Sequence, residues 1–202
     1  AAILTMPLLV LSLEVPENDP SVSAAEMKPK ALHSLLLDIA ITDSGFVAVG
    51  ERGHILVSAD GRSWQQVKAP TRSTLTTVSA QGGAVWAGGH DGVILNSSDA
   101  GKTWQRQRAQ PWSADSQALT IGSPVLDTLF VSSNEGYAVG AYSLLLKTVD
   151  GGATWSELSI GGSAPAQKSA ELVATDSGVF DDSDLTLAAE SDPHLNAIAR
   201  TA

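Results

Sequence analysis

Short apolar runs recur along the chain from Leu35 to Ser159, and each is closed by Gly, Asp, Asn or a polar pair. Runs of this length with this punctuation predict β-strands, and no helix of ordinary length is needed anywhere. The first four strands are expected at Leu35–Ile41, Phe46–Gly50, His54–Ser58 and Trp64–Lys68. Four more are expected at Leu75–Ala80, Ala84–Gly88, Val93–Ser97 and Thr103–Arg108, and a third set at Leu126–Val131, Tyr137–Gly140, Leu144–Thr148 and Thr154–Ser159.

The three sets are copies of one another. Each ends in a tryptophan preceded by a turn: Ser58-Ala59-Asp60-Gly61-Arg62-Ser63-Trp64, Ser97-Ser98-Asp99-Ala100-Gly101-Lys102-Thr103-Trp104, and Thr148-Val149-Asp150-Gly151-Gly152-Ala153-Thr154-Trp155. Gly50, Gly89 and Gly140 each lie eight residues before the leading Ser or Thr, and Ile39, Val78 and Leu129 each lie eleven before those glycines. The first turn is one residue shorter than the others. The physics of the turn is readable. An Asp at its start accepts hydrogen bonds from backbone N–H groups further on, and the Ser or Thr does the same more weakly. Gly101 and Gly152 supply a positive φ. The Trp is expected to open the next strand and bury its ring between sheets. On this reading Asp60, Asp99 and Asp150 are structural acids, not catalytic ones.

A four-stranded unit of about 40 residues, repeated, is one blade of an all-β propeller. The blades are expected at 34–70, 74–110 and 125–160, with the start of a fourth at 194–202, where Leu195-Asn196-Ala197-Ile198 matches Leu126-Asp127-Thr128-Leu129. Residues 31–202 thus read as a partial propeller of antiparallel blades, to be completed by further blades from the rest of the polypeptide or another chain. An open arc of this kind exposes apolar blade faces at its ends. Residues 1–30 precede it. Their apolar stretch, Ile3–Leu13, fits either the remnant of a secretory signal, with Val22-Ser23-Ala24 as a small-residue cleavage site, or a closing strand at Leu8–Val15.

Two insertions break the spacing, Pro111–Pro124 and Gly161–Pro193. Strand direction places both on one face of the disc. The Asp-bearing turns join third to fourth strands on one side. The links between blades lie on the other side, with the turns Glu51-Arg52, His90-Asp91 and Ala141-Tyr142 that join second to third strands. This second face, with Glu51, Arg52, His90, Asp91 and Tyr142, is the candidate partner surface.

Charge and composition narrow the function. The formal net charge is −10, and the insertion 161–193 holds seven acids against Lys168, so it carries −6 of that total. An acidic surface repels nucleic-acid phosphates. With no cysteine there is no disulfide framework, thiolate metal site or cysteine nucleophile. His33, His54, His90 and His194 are scattered without metal-ligand spacing, and no glycine-rich phosphate loop is present. No cofactor is expected. Arg106 and Arg108, two apart, are expected to share one face of an outer strand and guard its edge.

The repeated S/T-x-D-x-G-x-T/S-W turn resembles the Asp-box, or BNR repeat. Val47-Ala48-Val49-Gly50-Glu51-Arg52-Gly53, Gly88-Gly89-His90-Asp91-Gly92, Tyr137-Ala138-Val139-Gly140-Ala141-Tyr142 and His194-Leu195-Asn196-Ala197-Ile198 resemble bacterial members of the photosystem II stability/assembly factor-like family. The likeness covers about Leu32 to Ile160 and then His194 onward; Ser143, where the pattern prefers Gly, and the short first box depart from it. The resemblance implies a non-enzymatic, periplasmic or secreted protein that binds protein partners during assembly or operation of a membrane complex. Some bacterial members accompany transporters of the resistance-nodulation-division type. No residue ties the chain to photosystem II itself. The alternative class is a glycoside hydrolase or carbohydrate-binding propeller of sialidase or endoglucanase type. A sialidase site needs an arginine cluster, a Tyr–Glu pair and an acid Asp. None of Arg52, Arg62, Arg72, Arg106, Arg108 and Arg200 stands in an Arg-Ile-Pro context, and only Tyr137 and Tyr142 are available.

Overall fold

The computed structural model describes residues 18–111, 122–159 and 194–201. The expected strand at 8–15, the insertion 161–193 and most of the insertion 111–124 lie outside the described residues. Among the described residues twelve strands form three antiparallel four-stranded sheets, each in simple sequential order. Blade 1 comprises β1 (Leu36–Thr42), β2 (Gly45–Gly50), β3 (Ile55–Ser58) and β4 (Gln65–Val67). Blade 2 comprises β5 (Leu75–Gln81), β6 (Ala84–Gly89), β7 (Ile94–Ser97) and β8 (Gln105–Arg108). Blade 3 comprises β9 (Val125–Phe130), β10 (Gly136–Gly140), β11 (Leu145–Thr148) and β12 (Ser156–Glu157). The innermost strands β1, β5 and β9 lie side by side, so the chain is an all-β partial propeller.

The tryptophans do not open the fourth strands. Trp64, Trp104 and Trp155 each lie just before the ladder, which begins at Gln65, Gln105 and Ser156. In blades 1 and 2 the indole accounts for this, whereas Trp155 Nε1 has no such partner. Trp64 and Trp104 turn Nε1 back to donate to Gly61 O and Gly101 O of their own turns, at 3.2 and 2.8 Å. A residue whose side chain closes the turn is held in the turn.

Each blade packs its face onto the blade before it. Val78, Val85, Ala87, Leu95 and Trp104 of blade 2 share a core with Ala40, Val47, Val49 and Ile55 of blade 1. At the next junction Ile94 of blade 2 meets Val125, Ala138, Leu144 and Leu146. There the Trp86 ring stacks on Phe130 at 3.5 Å and 9°, and Trp155 meets Phe130 edge-on at 6.0 Å. Among the described residues no blade packs before blade 1. Ile39, paired with Ala48 as Val78 is with Ala87, is 54% exposed where Val78 is 6% exposed. Leu37 and Ile41 are exposed beside it.

The inner-strand alignment needs one correction. Ala138 of β10 pairs with Thr128, not with Leu129. The β9–β10 hairpin is one residue longer, so counting back eleven residues from Gly140 stops one residue short of the equivalent position. A hydrogen bond gives the same register. Asp38 Oδ1 accepts from its neighbour Ile39 N, while Oδ2 accepts from Val78 N of the next blade at 2.7 Å. Asp127 repeats this, with Oδ1 on Thr128 N and Oδ2 accepting from Ile198 N at 2.9 Å. Ile198 therefore takes the place of Val78 and Thr128. The segment from His194 lies against blade 3, and Leu195 N donates to Gly140 O at 2.9 Å, without a strand ladder of its own.

Arg106 and Arg108 do not share a face. The β7–β8 register shifts between Leu95 and Ile94, which inserts Gln107 as a bulge. Arg106 Nη1 reaches the carbonyls of Pro70 and Val22 on the side of blade 1, and Arg108 Nη1 donates to Gly92 O at 2.8 Å.

The Asp-bearing turns also join blades. Gly101 holds φ +88°, and a Cβ there would lie 2.6 Å from Val47 Cγ2 of blade 1. The turn fits because nothing projects from that position. Gly101→Ala combines an unfavourable φ with a collision at the blade junction. We expect a loss of about 1–3 kcal/mol in denaturant unfolding, with no change in circular dichroism before the transition.

Candidate functional site

The second face is built from turns and links. In blades 1 and 2, residues Glu51–Gly53 and His90–Gly92 form tight 3-10 turns between the second and third strands. Arg52, Asp91 and Tyr142 occupy the same place in successive blades and share a left-handed backbone, at φ 57°, 56° and 56°. Gly53 follows Arg52 because a Cβ there would lie 2.1 Å from Thr71 O of the link to blade 2. This close approach brings the link, and with it Arg72, against the Arg52 turn.

An N-terminal strap completes the wall. Arg72 N donates to Pro20 O at 2.7 Å, Ala25 N to Ala69 O at 2.9 Å, and Lys28 N to Gln66 Oε1 at 2.8 Å. The strap thus runs along blade 1 at fixed height. Between strap and turns lies a cavity of about 270 Å³, lined by Pro20, Glu26, Lys28, Arg52, His54 and Arg72. Three cations meet here in a chain of net charge −10. His54 is 3% exposed, and its Nδ1 has no partner. Burial pushes its pKa below the ordinary 6.5; Glu51 opposes that shift, and Arg52 and Lys28 add to it. It is therefore a neutral imidazole at pH 7. Arg72 uses Nη2 on Asn18 O, leaving its buried Nε without a partner. The cavity suits an anion that accepts several hydrogen bonds, such as a carboxylate.

Of the five residues expected on the partner face, Arg52 lines this cavity. Glu51 stands at the same turn, but its carboxylate accepts from Leu35 N at 3.2 Å. Asp91 accepts from Ser73 Oγ at 2.5 Å, and His90 beside it is exposed. Tyr142 is 48% exposed and lies 5.3 Å from the His194 ring, on blade 3. Sequence reasoning missed Glu26, Lys28 and Arg72, which lie in the strap and the link, and set His54 aside as a scattered histidine.

The box residues stand on the opposite face, in three separate turns. In blade 2, Ser97 Oγ donates to Asp99 Oδ1 at 2.7 Å and accepts from Gly101 N at 2.9 Å. Asp99 also accepts from Thr103 N at 2.8 Å and Thr103 Oγ1 at 2.6 Å. In blade 3, Thr148, Asp150, Gly152 and Thr154 repeat these bonds within about 0.1 Å. The first box is the shorter one. Asp60 accepts from Arg62 N and Ser63 N, both at 2.8 Å, and Gly61 N donates to Ser58 Oγ at 2.9 Å. These bonds favour the charged carboxylates. The pKa values of Asp99 and Asp150 fall from 3.8 to about 2, with the Thr103 and Thr154 hydroxyls as the leading causes. Asp60 is lowered chiefly by the Ser63 and Arg62 amides. Such acids are held charged and oriented inward, which suits a turn and not proton transfer. Among the described residues no cluster of three His, Asp or Glu side chains is placed to hold a metal ion.

The family model described as Photosynthesis system II assembly factor YCF48 matches residues 21–111 and again residues 105–177. The Photosystem II assembly lipoprotein Ycf48 of Synechococcus sp. (strain RCC307) is 40% identical over 68 residues, 34% of this chain and 19% of that protein. Its counterpart in Prochlorococcus marinus is 37% identical over 70 residues, 35% of this chain and 20% of that protein. The chain thus spans about a fifth of the length of these curated relatives. A solved structure, YCF48 bound to D1 peptide, aligns at a TM-score of 0.50 and 18% identity, over 72% of this chain and 46% of that one. At that identity the likeness concerns the fold.

The box carboxylates also set an acid limit. Their folded pKa values lie below the unfolded value, so their contribution is fully present above about pH 4 and is lost as pH falls toward 2. Thermal unfolding of the wild type is expected to weaken steeply over that range. Asp99→Asn should start lower at pH 7 and lose less on acidification; an equal acid loss in both proteins contradicts the assignment.

Proposed function

The chain belongs to the family described as Photosynthesis system II assembly factor YCF48, and we propose from that premise that it is a non-enzymatic docking scaffold for a protein of a membrane complex. The carrying observation is the cavity at Lys28, Arg52, His54 and Arg72 on the face opposite the Asp-boxes. Its cations suit an acidic segment or a terminal carboxylate of the partner. A fold neighbour solved with a D1 peptide bound supports a peptide as ligand class. The curated relatives are named photosystem II assembly lipoproteins, which supports an extracytoplasmic site of action at a membrane. Among the described residues no helix is long and apolar enough to cross a membrane.

The same names favour an assembly role over the operation of a resistance-nodulation-division transporter. A glycoside-hydrolase reading draws no comparable support, because the repeated acids are engaged in their own turns.

Charge reversal tests the proposal. Wild type, Arg52→Glu and Arg72→Glu are used as bait on detergent-solubilised membranes from the source cells. The wild type is expected to retain a discrete protein partner, and each reversal to lose most of it with the thermal transition preserved. Equal capture by all three would place the partner surface elsewhere. Binding to a glycan array without a protein partner would favour the carbohydrate reading.

A further inference from the structure

We infer that Glu26 is a built-in stand-in for the partner's acidic group and sets how tightly the cavity holds that group. This rests on the reading of the cavity as an acidic-segment site. Among the described residues Glu26 is the one acid lining it, beside Lys28, Arg52 and Arg72. Its position is imposed by the strap. Glu26 O accepts from Gln66 Nε2 at 2.9 Å, while Gln66 Oε1 accepts from Lys28 N, so one side chain of β4 fixes the backbone around it. The Glu26 carboxylate forms an ion pair with Lys28. The surrounding charge favours its ionised form, from Lys28 first and then from Arg72 and Arg52.

The pair is built to be displaced. The Lys28 and Glu26 side chains remain 48% and 58% exposed, so neither charge is buried without water if the pair opens. Exposed ion pairs of this kind are weak. An arriving carboxylate takes over Lys28 and the two arginines while Glu26 swings into solvent. Glu26 also cancels one of the three positive charges, which biases the cavity toward segments with more than one acidic group. A single acid then gains little over the resident one.

Fluorescence anisotropy with a fluorescein-labelled tetra-aspartate peptide tests this in the intact chain. Glu26→Gln keeps the shape of the side chain and removes the competing charge. It is expected to tighten binding by about two- to fivefold, the scale of an exposed ion pair. Arg52→Gln and Arg72→Gln are expected to weaken binding, and 0.5 M salt, which shortens the screening length from roughly 10 Å at 0.1 M to about 4 Å, to narrow all differences. Unchanged or weaker binding in Glu26→Gln, with both arginine variants weakened, overturns the inference and leaves the cavity as the site. Binding indifferent to both arginines overturns the site and the inference together.

Discussion

A four-stranded blade has two faces and cannot cover either alone, so each blade here is held by the one beside it. The decisive contact lies where the Asp-box turn of one blade fits into the face of the blade before it. Gly101 sits against Val47 and Val57 of blade 1, and Gly152 sits against Gln107 of blade 2. Each turn therefore does two jobs. Its Asp and Ser or Thr close a local hydrogen-bonded ring, and its glycine admits the neighbour. Near the inner edge, Asp38 and Asp127 add a second link by accepting an amide from the next inner strand. On blade 1, where no described blade packs on this side, Leu37, Ile39 and Ile41 are exposed.

The two faces of the arc are built differently. One face of the arc is occupied by short turns whose polar atoms are already committed to one another. The opposite face carries the links, the strap and the equivalent left-handed turn residues Arg52, Asp91 and Tyr142, with Ser143 following the last at φ 59°. A non-glycine residue at positive φ is strained, and such residues stand on both faces, since Ala100 of the second box holds φ 57°. Of the three equivalent turn residues, Arg52 stands in a cavity with other cations, while Asp91 is tied to Ser73.

Much of the fold was legible because the Asp-box is a local motif. Asp99, Gly101, Thr103 and Trp104 interact within one turn, so their spacing carries the geometry. The register of β9 was not legible, because it depends on how many residues a hairpin holds. The extra residue before Gly136 shifted Thr128 into the place assigned to Leu129. The outer-strand bulge at Gln107, which separates Arg106 from Arg108, leaves no mark in composition either. The cavity was legible only at Arg52. Lys28, His54 and Arg72 are distant in sequence, and a strap without regular secondary structure brings them together.

On the proposed reading, the partner's acidic segment docks on the link-bearing face while the Asp-boxes only build the scaffold. Hydrogen–deuterium exchange, measured on the chain alone and saturated with the acidic peptide, tests it directly. Protection is predicted at Glu51–His54, at Arg72 and along the strap from Pro20 to Lys28, with the amides of all three boxes unchanged. Protection concentrated at Ser97–Trp104 or Thr148–Trp155, with the strap unaffected, would contradict it.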